Sequence, residues 1–345
     1  MFVAMCALLM ASDPSPGDWQ QKESAHLKNI RQLTSDFVRA GEAYFSPDGK
    51  SIVFQAEEKS TGNPFYQIFV QDLANGAARR VSPGAGKTTC AYFAPDGKKI
   101  IFASSHLDPQ ASAKYAPEYQ QREDDKKSGV RRRYSWDFDK EMDIFEANPD
   151  GTGLKRLTDS PGYDAEGSYS PDGKQIVFAS QRDGDFAPSH CQLWIMDADG
   201  KNARQLTKAP NCYNGGPFFS PDGKQVIFRS DRKEKDRLQL YVINADGTGE
   251  RALTDRPTWV CWGPYWHPDG KHIVYAGADH GGGGRPNYDI YWMDVATGKE
   301  TRLTFAPGAD VLPVFNKDGT KLMWTSTRDG RQPSQIYIAD FVKPN

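Results

Sequence analysis

Short apolar segments alternate along this chain with polar turn residues. Near residue 180, Ile176-Val-Phe-Ala-Ser180 is followed by Leu193-Trp-Ile-Met-Asp197. Both segments are rich in β-branched and aromatic residues and too short for helices, so they predict strands. A turn phrase punctuates them. It reads Y-F-S-P-D-G-K at 44–50, Y-F-A-P-D-G-K at 92–98, Y-S-P-D-G-K at 169–174, F-F-S-P-D-G-K at 218–224 and Y-W-H-P-D-G-K at 265–271, with a worn copy, V-F-N-K-D-G-T, at 314–320. Its aspartates, Asp48, Asp96, Asp172, Asp222, Asp269 and Asp318, are spaced 48, 76, 50, 47 and 49 residues apart, one period with one insertion.

A second phrase keeps step with the first: Arg31-Gln-Leu-Thr34, Arg80-Val-Ser82, Arg156-Leu-Thr158, Arg204-Gln-Leu-Thr207, Arg251-Ala-Leu-Thr254 and Arg302-Leu-Thr304. Asp-Gly turns at 150–151, 199–200 and 246–247 supply positive φ for tight hairpins. Each unit therefore reads as four antiparallel strands, A before the turn phrase, then B, C and D. Four strands in a unit of this length make a propeller blade. The sixth unit has strands A (Leu312 to Phe315), B (Lys321 to Thr325) and C (Gln335 to Ala339) but no D, while Ile30 to Thr34 is a D strand with nothing before it. The expectation is an all-β, six-bladed propeller over residues 30–340, closed by the N-terminal strand completing the last blade, which removes the open edge.

The ends and the charge add less. Residues 1–29 read as a signal-like remnant and linker. Phe2 to Ala11 is an apolar run without the basic residues of a secretory signal, and Ser12 to Ser24 reads as linker. Export to the periplasm or beyond is expected, with a cytoplasmic location left open. Lys plus Arg is 43 and Asp plus Glu is 45, so no global field attracts nucleic acid. No internal run approaches the roughly 20 apolar residues of a membrane helix, so no integral membrane contact is expected. Of the five cysteines, Cys191, Cys212 and Cys261 are the ones to check for disulfides, as Cys191–Cys212 or Cys212–Cys261; separate thiols are the plainer reading. His106, His190 and His280 share a face without metal-ligand spacing.

The A–B and C–D turns of a propeller share one face, and here they are short and uniform. The B–C and D–A loops on the other face vary, and varied loops on a rigid scaffold are the better candidates for binding. The largest is a B–C insertion at about 104–141, read as a long structureless loop. It contains Arg131, Arg132, Arg133, Tyr134 and Trp136, a set that suits a carboxylate, a phosphate or a peptide. Strand parity aims a second group at the axial channel. Residues four before the turn serine or its equivalent include Glu42 and Glu166, and residues six before include Asp164, Asn214 and Asp310. These five would form an acidic, amide-bearing channel mouth for a cation or a basic peptide end. No cofactor is expected; a channel-bound calcium has no motif to support it. Gly84-Ala-Gly-Lys-Thr-Thr89 lacks the first glycine of a phosphate loop, and His280-Gly-Gly-Gly-Gly284 has no nucleophile elbow to serve.

The sequence S-P-D-G-K, then I-V-F-A-S, then L-W-I-M-D-A-D-G, then R-Q-L-T resembles the TolB-type β-propeller repeat, related in style to WD40-like repeats, over roughly residues 30 to 340. The resemblance implies a stand-alone propeller without the N-terminal α/β domain of periplasmic TolB, and a non-enzymatic role binding a protein or peptide partner of the cell envelope, with the protein a monomer. Two alternatives stay open. One is a hydrolase or lyase acting on a small molecule or sugar in the channel. The other is a structural module for a separate partner domain.

Overall fold

In the computed structural model, residues 18–129, 138–187, 190–282, 284–328 and 333–344 are described. Helix α1 (Asp18–Glu23) leads into β1 (Leu27–Gln32). Blade 1 follows as β2 (Arg39–Phe45), β3 (Ser51–Glu57), β4 (Gln67–Asp72) and β5 (Ala78–Arg80), and blade 2 as β6 (Thr88–Phe93), β7 (Ile100–Ser104), β8 (Asp143–Ala147) and β9 (Lys155–Arg156). Blade 3 is β10 (Asp164–Tyr169), β11 (Gln175–Ser180), β12 (Gln192–Asp197) and β13 (Arg204–Gln205); blade 4 is β14 (Asn214–Phe219), β15 (Gln225–Ser230), β16 (Gln239–Asn244) and β17 (Arg251–Ala252). Blade 5 is β18 (Trp259–Trp266), β19 (His272–Asp279), β20 (Asp289–Asp294) and β21 (Glu300–Arg302), and β22 (Asp310–Phe315), β23 (Lys321–Ser326) and β24 (Gln335–Phe341) complete the order. These strands form six four-stranded sheets, and the sixth runs β1-β24-β23-β22.

The closure expected from the orphan strands is present. β1 pairs antiparallel with β24, Leu27 opposite Phe341 and Gln32 opposite Tyr337. The second phrase explains why this strand belongs there. In every blade its Ser or Thr hydroxyl accepts the backbone N–H of the second residue of strand C: Ser82 from Ile68, Thr158 from Ile144, Thr207 from Leu193, Thr254 from Leu240 and Thr304 from Ile290, at 2.8–3.0 Å. Thr34 does the same for Ile336 at 3.0 Å, across the seam.

The turn phrase is equally mechanical. Ser46 Oγ donates to Asp48 Oδ1 at 2.6 Å, and that carboxylate accepts from the Lys50 N–H. Ser170 with Asp172 and Ser220 with Asp222 repeat the bond. These bonds hold the turn carboxyls below the usual range. One aromatic of strand B is fully buried in each blade, Phe54, Phe102, Phe178, Phe228, Tyr275 and Trp324, where stacked blades exclude water.

Two segments differ from the expectations. The stretch read as linker contains α1, whose Trp19 and Glu23 are buried against blade 6 and its neighbouring loop. The insertion is not structureless: a 3-10 turn (Ala111–Lys114) runs into α2 (Tyr115–Ser128). That helix buries none of its residues, so no apolar stripe announced it. Arg122 anchors it to blade 1, through Glu57 Oε1 at 2.8 Å and the Pro64 carbonyl at 2.7 Å. Arg131, Arg132, Arg133, Tyr134 and Trp136 lie outside the described residues.

Candidate functional site at the propeller axis

The innermost strands β2, β6, β10, β14, β18 and β22 each carry a β-bulge at the same place. The bulged residue is the one four before the turn position, and all six have positive φ: Glu42, Cys90, Glu166, Gly216, Gly263 and Leu312, between 47° and 59°. A bulge re-aims its side chain. Here all six residues line one small axial cavity of about 20 Å³, room for a single water-sized group. Two residues further on, Tyr44, Tyr92, Phe218 and Tyr265 close the axis with rings 5.0–6.1 Å apart. The Tyr92 and Tyr265 hydroxyls share a hydrogen bond of 3.1 Å.

The five residues expected at the channel mouth separate into two groups. Glu42 and Glu166 line the cavity. Asp164, Asn214 and Asp310 do not; each is at most 1% exposed and held by an arginine within its own blade. Arg182 reaches Asp164 at 2.7 Å, Arg232 reaches Asn214 at 2.6 Å, and Arg328 reaches Asp310 at 2.9 Å. A serine, Ser180 or Ser326, adds a second donor to each aspartate.

The two glutamates differ in how they are held. Glu166 accepts from Tyr213 Oη at 2.7 Å, Tyr163 Oη at 3.2 Å, the Gly216 N–H at 2.5 Å and Arg229 Nη2 at 3.0 Å. Glu42 accepts from the Cys90 thiol and from Tyr44 Oη, the latter at 3.4 Å, a long bond. Burial first, and then the like charge of Glu166, push the Glu42 carboxyl up to about 7, against the pull of Arg229. It keeps some solvent access because it faces the cavity. Burial and the same two carboxylates push the Cys90 thiol well above its usual range, which removes it as a nucleophile at neutral pH.

Sequence reasoning missed Arg229, Tyr163 and Tyr213. Arg229 had a signal, as the lone charge in the apolar run Val226-Ile-Phe-Arg229. Gly216 provides its seat: a Cβ there would lie 2.2 Å from Arg229 Nη1. The four described cysteines, Cys90, Cys191, Cys212 and Cys261, are free thiols, so neither Cys191–Cys212 nor Cys212–Cys261 is bonded. Backbone pairing brings the Cys191 N–H to the Cys212 carbonyl at 3.1 Å, but the Cys212 thiol donates instead to the Ala209 carbonyl. Among the described residues no group of three or more His, Cys, Asp or Glu is arranged to hold a metal ion.

The family model for the TolB beta propeller domain matches residues 247–344. The fold is a six-bladed β-propeller, similar to TolB over those residues. A TolB homolog of Chlorobium luteolum is 38% identical over 60 residues, a match covering 17% of this chain and 13% of that relative. The TolB-like ring superposes on TolB from Acinetobacter baumannii with a TM-score of 0.58 at 18% identity, covering 90% of this chain and 65% of that one. It also superposes on an oligogalacturonate lyase from Vibrio parahaemolyticus with a TM-score of 0.55 at 15% identity, covering 90% and 93%. At these identities the structural likeness is one of fold. The same TolB-like architecture thus serves a TolB and a lyase, and only site chemistry separates such roles.

Proposed function

We propose that this TolB-like propeller is a non-enzymatic binding module of the cell envelope, periplasmic or secreted, that recognises a protein or peptide through a cationic group at the axis. One observation carries the reading: Glu42 faces a water-sized axial cavity with only the Cys90 thiol and a long bond from Tyr44 to hold it, beside a Glu166 held by two tyrosines, the Gly216 N–H and Arg229. A cavity of about 20 Å³ suits the ammonium tip of a lysine or a chain terminus and is too small for a sugar ring. A carboxyl titrating near 7 could act as a general acid, but here it has no room for a substrate and no activated nucleophile nearby. Arg131 to Arg133, Tyr134 and Trp136 of the insertion would add a contact for an acidic or aromatic group of the same partner.

The test is titration calorimetry with a lysine-tipped peptide and its acetyl-lysine counterpart. Binding should need the free ammonium, strengthen as pH rises through about 7, and fall about tenfold in Glu42→Gln, the loss of one charge-assisted contact. Equal binding by wild type and Glu42→Gln, or tighter binding at lower pH, would reject the reading.

A further inference from the structure

Every blade sets an aromatic of strand B opposite one of strand C, and three blades cover theirs with an arginine from just beyond strand B. In blades 3, 4 and 6 the second residue after the strand-B serine is Arg182, Arg232 or Arg328. Each guanidinium lies over the rings of that blade: Arg182 over Phe178 at 4.8 Å, Arg232 over Tyr241 at 4.5 Å, Arg328 over Trp324 at 4.9 Å. Blade 5 keeps the pair, Tyr275 stacked on Tyr291 at 5.5 Å, with Trp259 edge-on to Tyr291 at 5.8 Å and Arg256, paired with Glu300, over one side of the Trp259 ring at 4.7 Å. It changes three other positions together. Gly277 stands in place of the serine, Asp279 in place of the arginine, and Asp289 in place of the glutamine that opens strand C in blades 3, 4 and 6.

A cleft of about 340 Å³ opens at these three positions, on the variable-loop face, with Trp259 and Tyr291 among its walls. It shares no lining residue with the axial cavity. Gly277 keeps the walls in place, since a Cβ would sit 3.3 Å from both rings. In blade 4 the corresponding Gln239 spans to the carbonyls of Arg256 and Trp259 at 3.0 and 2.9 Å. Asp289 is shorter by a methylene. Its Oδ2 meets Asn287 at 3.0 Å and Arg302 at 2.7 Å, and its Oδ1 has no hydrogen-bond partner among the described residues although the residue is only 3% exposed. A buried acceptor left unpaired is costly and calls for a donor.

We propose that this cleft binds a guanidinium group, the side chain of an arginine on a partner, set against Trp259 and Tyr291 and paired with Asp279 and Asp289. Blades 3, 4 and 6 display this chemistry internally, with a guanidinium on an aromatic pair and its fork on an oxygen acceptor. Asp279 supplies a fixed negative charge, since hydrogen bonds from the Gly281 N–H and Thr258 hold its carboxyl below the usual range. Arg302 is already committed, paired with Asp289 and lying over Phe305 at 4.4 Å. Arg285 is exposed at the rim, where solvent screens its charge.

The test is calorimetric titration of the full chain with N-acetyl-L-arginine amide, against the citrulline analogue of equal shape and no charge. Saturable millimolar binding is expected, at least about tenfold weaker for citrulline. Asp279→Arg installs the arginine of blades 3, 4 and 6, and should cost about tenfold in binding while the thermal midpoint holds. Asp289→Asn, a smaller change, should weaken binding several-fold. Absence of saturation with the arginine probe, equal binding of citrulline, or wild-type affinity in both variants would overturn the assignment. Glu42→Gln separates this site from the axis: it should leave arginine binding intact, and a loss there would move the ligand to the axial cavity and defeat this proposal.

Discussion

Two sets of polar side chains lie two residues apart on the same inner strands and meet opposite fates. Six before the turn position, Asp164, Asn214 and Asp310 are each buried and each clasped by an arginine of their own blade. Four before it, Glu42 and Glu166 face the axis, and Glu42 is held only by the Cys90 thiol and a long bond from Tyr44. The first arrangement recurs in three blades, and recurrence is the mark of scaffold chemistry. The second occurs where individual blades depart from one another: Glu in two, Gly in two, Cys and Leu in the rest. The variations, and not the repeats, are the places to look for a ligand.

The sharpest way to break this comparison is at Arg328, which serves the scaffold set. It holds Asp310 and also Glu23 of helix α1, at 2.9 and 3.1 Å, and all three residues are at most 3% exposed. Glu23 in turn accepts the N–H groups of Phe305 at 2.8 Å and Ala306 at 3.2 Å. Arg328→Met would strand two buried carboxylates, and breaking such a pair costs about 3–5 kcal/mol. The expected thermal midpoint falls by roughly 10 °C, and α1 becomes accessible to limited proteolysis. An unchanged midpoint would mean that the clasp is not part of the scaffold.

A smaller effect is expected where the axis and the backbone meet. Gly216 and Gly49 have φ of 58° and 70°, but a Cβ at 216 would strike the Arg229 guanidinium while one at 49 meets nothing within 4 Å. Gly49→Ala should cost about 1 kcal/mol, from backbone strain alone. Gly216→Ala should cost about 2–3 kcal/mol, because it adds displacement of Arg229 from Glu166. Chemical denaturation would read both. Equal losses would show that the seat for Arg229 is not specific.

The architecture was legible because its determinants are local and repeated. Asp-Gly turns, a turn-tying serine and a strand-sewing threonine act within one unit, so six copies spell the ring, and Thr34 spells its closure. Of the axial site, the carboxylates Glu42 and Glu166 were legible by parity. The sorting of Asp164, Asn214 and Asp310 was not, because it depends on arginines from the loop after strand B. A signal did exist in the recurring Ser180-Gln-Arg182, Ser230-Asp-Arg232 and Ser326-Thr-Arg328. The bulge was hidden for a different reason. Glu42, Cys90, Glu166 and Leu312 are not residues that advertise positive φ, and only the shared geometry of six neighbouring strands imposes it. Helix α2 was hidden because it is held by single anchors such as Arg122 and Tyr115 rather than by an apolar face.

The smallest expected effect is the response of the axial carboxyl to pH. Burial and Glu166 raise the Glu42 carboxyl from its ordinary 4.5 to about 7 in the folded state. A raised carboxyl binds its proton more tightly when folded, so its contribution to stability is complete below about pH 4.5 and is lost as pH rises through about 7. Glutamine mimics the protonated form. Glu42→Gln should therefore match wild type near about pH 4.5, gain on it steadily up to about 7, and hold a constant advantage above, on the order of 1–2 kcal/mol once partial solvent access is allowed for. Urea unfolding across that range would measure the difference. Asp289, raised to about 7 by burial despite Arg302, would show the same direction in Asp289→Asn. A flat difference for Glu42→Gln would mean that the axial carboxyl is ionised without cost. The axis would then lose its claim to an unmet charge.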